Sequence, residues 1–149
     1  MAAPKLIADA CEKMQGQITS GASTIAQRAA ITALSSDITP TLEMKKAFLR
    51  RRNLVLKLLK EIHGIQLNIP QGAFYIFMNV SYYFGKSDGE LKITNAEELC
   101  MYLLNKGYVS LVSGAAFGDD DCIRFSYAAA DEKLIEAIRR IKVALEKLQ

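Results

Sequence analysis

The 149-residue sequence predicts a two-layer α+β protein, with a small, mostly antiparallel sheet flanked by helices and preceded by a helical segment and one long connecting helix. Three observations carry that expectation. Apolar residues recur at three- and four-residue spacing in separate blocks, which is the period of a helix with one buried face. Short apolar and aromatic segments bounded by Pro, Gly or Asp, such as Ala73 to Val80 and Cys122 to Tyr127, fit strands. The first forty or so residues carry helical patterning alone, which sets them apart from the strand-bearing remainder.

The elements follow in order. Leu6, Ile7, Ala10, Cys11 and Met14 make a short amphipathic helix over residues 4 to 14, and Gln15 to Ser23 interrupts it. Ser23 or Thr24 can cap a second helix carrying Ile25, Ala26, Ala29, Ala30, Ala33 and Leu34, which ends across Ser35 to Thr39. Pro40 suits the first turn of a third helix, because proline lacks a donor that has no partner there. That helix is expected to reach about residue 62, with Met44, Phe48, Val55, Leu59 and Ile62 on one face and Lys46, Arg50, Lys57 and Lys60 on another. Gly64 is a natural stop.

Ile65 to Leu67 and Ala73 to Val80 are expected strands, joined through Pro70 and Gly72, with a polar loop at Gly85 to Lys92 beyond. Thr94 and Glu97 have capping-box spacing for a helix that turns Leu99, Cys100, Leu103 and Leu104 inward and stops at Gly107. Strands at Tyr108 to Val112 and Cys122 to Tyr127 then bracket a glycine-containing loop. Asp131 caps a last helix with Leu134, Ile138, Ile141, Leu145 and Leu148 on its core face. The expected domains are residues 1–36, 37–63 and 64–149.

Half the residues are hydrophobic, which argues for a packed core and against disorder. Nineteen basic and 16 acidic residues leave a net charge of only +3, too mild to imply a nucleic acid or an anionic membrane as partner. The basic face of the third helix is bordered by Glu43 and Glu61 and has no aromatic stacking row, so it reads as a solvated helix face. Cys11, Cys100 and Cys122 are odd in number and widely spaced, as reduced thiols of a cytoplasmic protein would be. No apolar run has membrane-spanning length and no secretory leader is expected at the amino terminus.

The most informative residue is Arg124. Strand alternation would send Ile123, Phe125 and Tyr127 into the core, and Cys122, Arg124 and Ser126 to the opposite face. A planar, permanently charged fork on a half-polar wall suits a carboxylate or phosphate held by two parallel hydrogen bonds. On spacing alone, an arginine on a solvated sheet face is the commoner outcome.

Pro70-Gln71-Gly72-Ala73-Phe74-Tyr75, the run Val112 to Gly118, and Ile123-Arg124-Phe125-Ser126-Tyr127-Ala128 together resemble the carboxy-terminal part of pyridoxal-phosphate-dependent aminotransferases of the aspartate aminotransferase family (class I/II, fold type I). Ala2-Ala3-Pro4-Lys5 and Gln15 to Gln27 are similar to the same family, so the resemblance covers nearly the whole chain. It implies a carboxy-terminal fragment. Residues 1–36 would be a helical remnant of the large cofactor-binding domain, 37–63 the long connecting helix, and 64–149 the small α+β domain.

The resemblance also implies roles. Arg124 would grip the substrate's α-carboxylate, and Phe117 would line the substrate cleft. Thr19, Ser20 and Ser23 would belong to a loop approaching the partner subunit's active site in a homodimer. The substrates would be amino acids and 2-oxo acids, with aspartate and 2-oxoglutarate the expected pair, and the parent would be an aminotransferase of amino-acid metabolism.

Transamination needs pyridoxal 5'-phosphate, a lysine to form the Schiff base, an acid facing the pyridine nitrogen and an anion site for the phosphate. The family's motifs for these groups do not map onto this sequence, and Lys5, Lys13 and Lys45 do not sit in the matching context. No catalytic residue and no bound cofactor are therefore expected in this chain, which should be inactive alone. A stand-alone, noncatalytic module that senses a small carboxylate is the alternative reading.

Other polar groups read as structural. His63 stands at a helix end before Gly64, where it suits the terminal carbonyls, and one histidine cannot build a zinc site. Asp119-Asp120-Asp121 lacks the ligand alternation of a calcium loop, so no metal is expected. Gly85-Lys86-Ser87 lacks the upstream glycine of a phosphate loop, Val80 standing in its place.

Overall fold

A computed structural model describes residues 3–149, so Ala2 of the Ala2–Lys5 stretch lies outside the described residues. The chain divides into two compact units between Pro40 and Thr41, and each is described by itself.

The first unit is helical. Helix α1 (Lys5–Ile18) runs a turn beyond the expected end, because a single glycine inside a helix costs only about 1 kcal/mol and Gly16 meets no neighbour. It closes where the Thr19 and Ser20 amides both donate to the Gln15 carbonyl, at 3.0 and 3.2 Å. Helix α2 (Thr24–Ser35) is capped as expected by Ser23, whose hydroxyl accepts from the Ala26 amide at 3.3 Å. Neither helix buries a residue, and Leu6, Ile25 and Leu34 are each more than four-fifths exposed.

The second unit holds the sheet. Helix α3 (Thr39–Leu59) opens on Asp37, whose carboxylate accepts from the Thr39 amide and hydroxyl; those bonds hold its pKa below the usual carboxylate value. It ends at Leu59 rather than near 62, because the Ile62 amide turns back onto the Leu59 carbonyl at 3.1 Å. Of the apolar face, Val55, Leu59 and Ile62 are buried, whereas Met44 is exposed.

Strands β1 (Gln66–Leu67), β2 (Tyr75–Asn79), β3 (Val112–Ser113) and β4 (Cys122–Ser126) form one sheet in the order β1-β2-β4-β3, antiparallel at every pair. The α+β expectation holds. In the β2–β4 register Ile76 faces Phe125 and Met78 faces Ile123, and all four are buried. Their core continues into Leu99 and Leu103 of α4 (Ala96–Gly107), and into Leu134, Ile138, Ile141 and Leu145 of α5 (Asp131–Leu145). Each such side chain stabilises the fold by roughly 1.5–3 kcal/mol relative to exposure. The core face expected for α5 is observed at Leu134, Ile138, Ile141 and Leu145; Leu148 is buried too, but it lies beyond the helix, which ends at Leu145.

Several local expectations need correction. The cap of α4 is Asn95, not Thr94: its side chain accepts from the Glu98 amide at 2.9 Å, while the Glu98 carboxylate reaches back to the Thr94 amide at 2.7 Å. Tyr102, not Leu104, completes the inward face of α4, with its hydroxyl donating to the Ala144 carbonyl at 3.0 Å. Tyr108 ends α4 in the left-handed region (φ 55°), which shortens the expected strand 108–112 to a β3 that begins at Val112.

Asp131 is the first residue of α5 rather than its cap. Its carboxylate is held instead by Arg50 and Arg51 of α3. Cys122 is buried despite its strand parity, because the turn at Asp119–Asp121 folds over it and places the Asp119 carboxylate 3.3 Å from its sulfur. Among the described residues, no helix is long and apolar enough to cross a membrane.

Candidate functional site: an arginine between two aromatic rings

Arg124 sits mid-strand in β4, opposite Phe77 of β2 on one side and Val112 of β3 on the other. The face it shares with Tyr75 and Phe77 is the one opposite Ile76, Met78, Ile123 and Phe125. Its guanidinium carbon lies 4.4 Å from the ring centre of Tyr75 and 4.4 Å from that of Phe117. Two electron-rich ring faces therefore satisfy the cation without engaging its N–H groups. Among the described residues Arg124 makes no side-chain hydrogen bond and no ion pair. Arg124 is half-buried as a residue and carries donors with no protein acceptor among the described residues.

Phe117 reaches this place from a 3₁₀ turn, Gly114–Phe117, that Ser113 caps and Gly118 closes in the left-handed region (φ 85°). A Cβ on Gly114 would meet the Asp119 and Cys122 carbonyl oxygens at 2.2 and 2.5 Å, so only glycine lets this loop fold so tightly. Phe117 packs edge-on to Phe77 at 6.3 Å and remains half exposed. The structure thus brings together Arg124 and Phe117, the two substrate-binding candidates.

Thr19, Ser20 and Ser23 belong to the first unit. Thr19 terminates α1, Ser20 takes a positive φ of 29° and Ser23 caps α2, so each has a local structural task.

Tyr75 and Phe77 were not singled out from sequence, although the alternation within β2 places both on one face. What was missing is the β2–β4 register, which pairs residues some fifty positions apart. Also unforeseen is the aromatic chain leading away from the wall. Phe74 contacts Tyr75 at 4.5 Å and stacks on Phe48 at 5.8 Å, beside a cleft of about 330 Å³ also lined by Lys45, Arg52 and Tyr127.

The remaining polar candidates are structural. The ring of His63 lies edge-on to Tyr82 at 4.8 Å instead of serving helix-terminal carbonyls, while the His63 carbonyl accepts from the Tyr83 hydroxyl. Burial pushes that phenol up to about 12. Lys86 lies 4.6 Å over the Tyr82 ring. Among the described residues no group of three or more His, Cys, Asp or Glu side chains could hold a metal ion. Arg50 and Arg51 are engaged by Asp131, and Arg52 by the Pro70 carbonyl and Asn53, whereas Lys46, Lys57 and Lys60 of the basic face of α3 make no ion pair among the described residues.

This arrangement can hold a small carboxylate or another oxyanion. Whether it could also hold pyridoxal phosphate turns on its amines. A lysine carrying that cofactor is characteristically desolvated, which lowers its pKa; among the described residues no lysine is buried. The residues at the wall therefore do not fit the amine that such a cofactor needs.

Residues 1–141 match the family described as "Aminotransferase class I and II". A bifunctional aspartate aminotransferase and glutamate/aspartate-prephenate aminotransferase of Petunia hybrida is 48% identical over 97% of this chain and 31% of its own length. An aspartate aminotransferase of Pinus pinaster is 42% identical over 97% of this chain and 30% of its own length. The crystal structure of the aspartate aminotransferase from Rhizobium meliloti superposes with a TM-score of 0.84 at 35% identity, over 99% of this chain and 37% of that one. The chain thus spans about a third of the length of the relatives it matches, and with residues 1–141 within the match it belongs to the class I and II aminotransferases.

Proposed function

We propose that this chain is the carboxy-terminal part of a pyridoxal-phosphate-dependent aminotransferase and supplies the grip on the substrate's α-carboxylate. The observation that carries this is the Arg124 fork, whose guanidinium carbon lies 4.4 Å from two aromatic ring centres yet whose N–H groups have no protein acceptor among the described residues. A carboxylate meeting that edge accepts two parallel, charge-assisted hydrogen bonds, which fixes the position and the tilt of an amino acid or 2-oxo acid. Phe117 shields the pair from water, which strengthens the attraction. The names of the relatives favour aspartate as amino donor, and 2-oxoglutarate is the acceptor that the family resemblance implies.

Pyridoxal phosphate, when bound to the whole enzyme, supplies the electron-withdrawing ring that lets the amino group be exchanged. The residues described here do not fit that group, so their contribution is to bind and orient. The chain alone is accordingly expected not to transaminate. Within a homodimer, Thr19, Ser20 and Ser23 would border the partner's site.

The test is Arg124→Lys and Arg124→Ala in the full-length, cofactor-loaded protein. Truncating one partner of such a pair costs about 2–5 kcal/mol, so kcat/KM for aspartate should fall by roughly 30-fold or more in Arg124→Ala. Lysine should restore charge without the fork and recover only part of the loss. Unchanged kcat/KM in both variants would overturn the proposal.

A further inference from the structure

Arginine brings a large side-chain entropy to any site it serves, and an unrestrained guanidinium must be ordered when its ligand arrives. Arg124 has no hydrogen-bonded acid to order it among the described residues, as Asp131 orders Arg51. It has instead two rings, each centred 4.4 Å from its guanidinium carbon, one on the β2 strand and one on the 3₁₀ turn. We infer that Tyr75 is a positioning residue: with Phe117 it clamps the Arg124 guanidinium by its two faces, so that a substrate carboxylate can meet it only edge-on and bidentate. This rests on the reading of Arg124 as the carboxylate grip.

Two features favour an orienting role over mere packing. Tyr75 is the register partner of Ser126, an exposed residue, so its half-buried ring lies on the open face of the sheet and not in the core formed by Ile76 and Met78. Its hydroxyl makes no hydrogen bond among the described residues, so the ring is the part in use. Stacking alone leaves every N–H of the guanidinium available, whereas an acid partner would occupy the donors that the substrate needs. The clamp therefore sets the plane of the fork without competing for its edge.

The experiment uses the full-length, cofactor-loaded protein with aspartate and 2-oxoglutarate as probes. Tyr75→Leu keeps an apolar side chain on the strand but removes the ring; KM for both substrates is expected to rise about tenfold, with kcat changing much less. Tyr75→Phe keeps the ring and should restore most of the lost affinity. In an Arg124→Ala background Tyr75→Leu should add no further rise in KM.

Phe117→Leu, which removes the other ring from a half-exposed site, is the second variant should Tyr75→Leu not fold, and is expected to raise KM in the same way. Either ring variant leaving KM unchanged, or Tyr75→Leu raising KM equally with and without Arg124, overturns the clamp. If Arg124→Ala itself leaves KM unchanged, the carboxylate grip is overturned first and the clamp with it.

Discussion

Phe77 stands directly opposite Arg124 in the β2–β4 register, and its ring tip occupies the space where a Cβ on Gly114 would point, 2.9 Å away. One aromatic side chain thus ties the strand that carries the cation to the loop that carries Phe117. Gly114→Ala is expected to force this junction apart, since backbone oxygens of Asp119 and Cys122 crowd the same position and cannot rotate away. A loss of about 1–3 kcal/mol follows, together with weaker carboxylate affinity as Phe117 is displaced. Urea unfolding and KM for aspartate check the two parts.

Gly107→Ala should do the opposite. Gly107 is the last residue of α4, and its missing Cβ would meet the Ala144 Cβ at 3.6 Å, an ordinary contact. Alanine there lowers the entropy of the unfolded chain and fills space against α5, so a gain of about 0.5–1 kcal/mol is expected. Urea unfolding under the same conditions measures it, and an unchanged or lower midpoint would contradict it.

What could be read in the sequence is what depends on one element at a time. The core face of α5 follows from the spacing of Leu134, Ile138, Ile141 and Leu145, and Ser23 is a cap by chemistry alone. Thr94/Glu97 and Asn95/Glu98 share capping-box spacing. The second pair forms because Asn95 caps the Glu98 amide while Glu98 also binds the Thr94 backbone. The aromatic flanks of Arg124 were hidden for another reason: they depend on which residue of β2 lies opposite which residue of β4, and no local pattern specifies that pairing. Asp131 likewise looked like a cap because its partners, Arg50 and Arg51, are some eighty residues away.

Those partners yield a third prediction. Asp131 is about one-fifth exposed and engages two guanidinium groups at the first turn of α5, where a carboxylate is also favoured by the helix dipole. Asp131→Ala would leave Arg51, itself three-quarters covered and lying over Phe48, without its acid. Partial exposure limits the loss to about 1–2 kcal/mol. Asp131→Asn, which keeps an acceptor but not the charge, should lose less. Thermal unfolding at low and high salt checks both, and an Asp131→Ala midpoint equal to the parent's at low salt would contradict the ion-pair account.

The buried thiols give a pH-dependent prediction. Cys122 is raised from 9.0 to about 11, chiefly by burial and then by its hydrogen bond to the Asp119 carboxylate and the charges of Asp119 and Asp121; burial first, then the charge of Glu97, raises Cys100 to about 11. Both are acids whose folded pKa lies above the unfolded value, so the native state favours the protonated form. Their contribution is fully present below about pH 9 and is lost as the pH rises from there through about 11. Since the thiolate is the reactive form, iodoacetamide at pH 8 should modify half-buried Cys11 well before either buried thiol. Asp119→Asn removes a neighbouring negative charge and should bring the Cys122 pKa down, speeding its labelling while leaving Cys100 unaffected. Labelling rates read residue by residue by mass spectrometry between pH 7 and 11 test this; Cys122 reacting as fast as Cys11 at pH 8, or indifferent to Asp119→Asn, would show that the Asp119–Asp121 turn does not seal it.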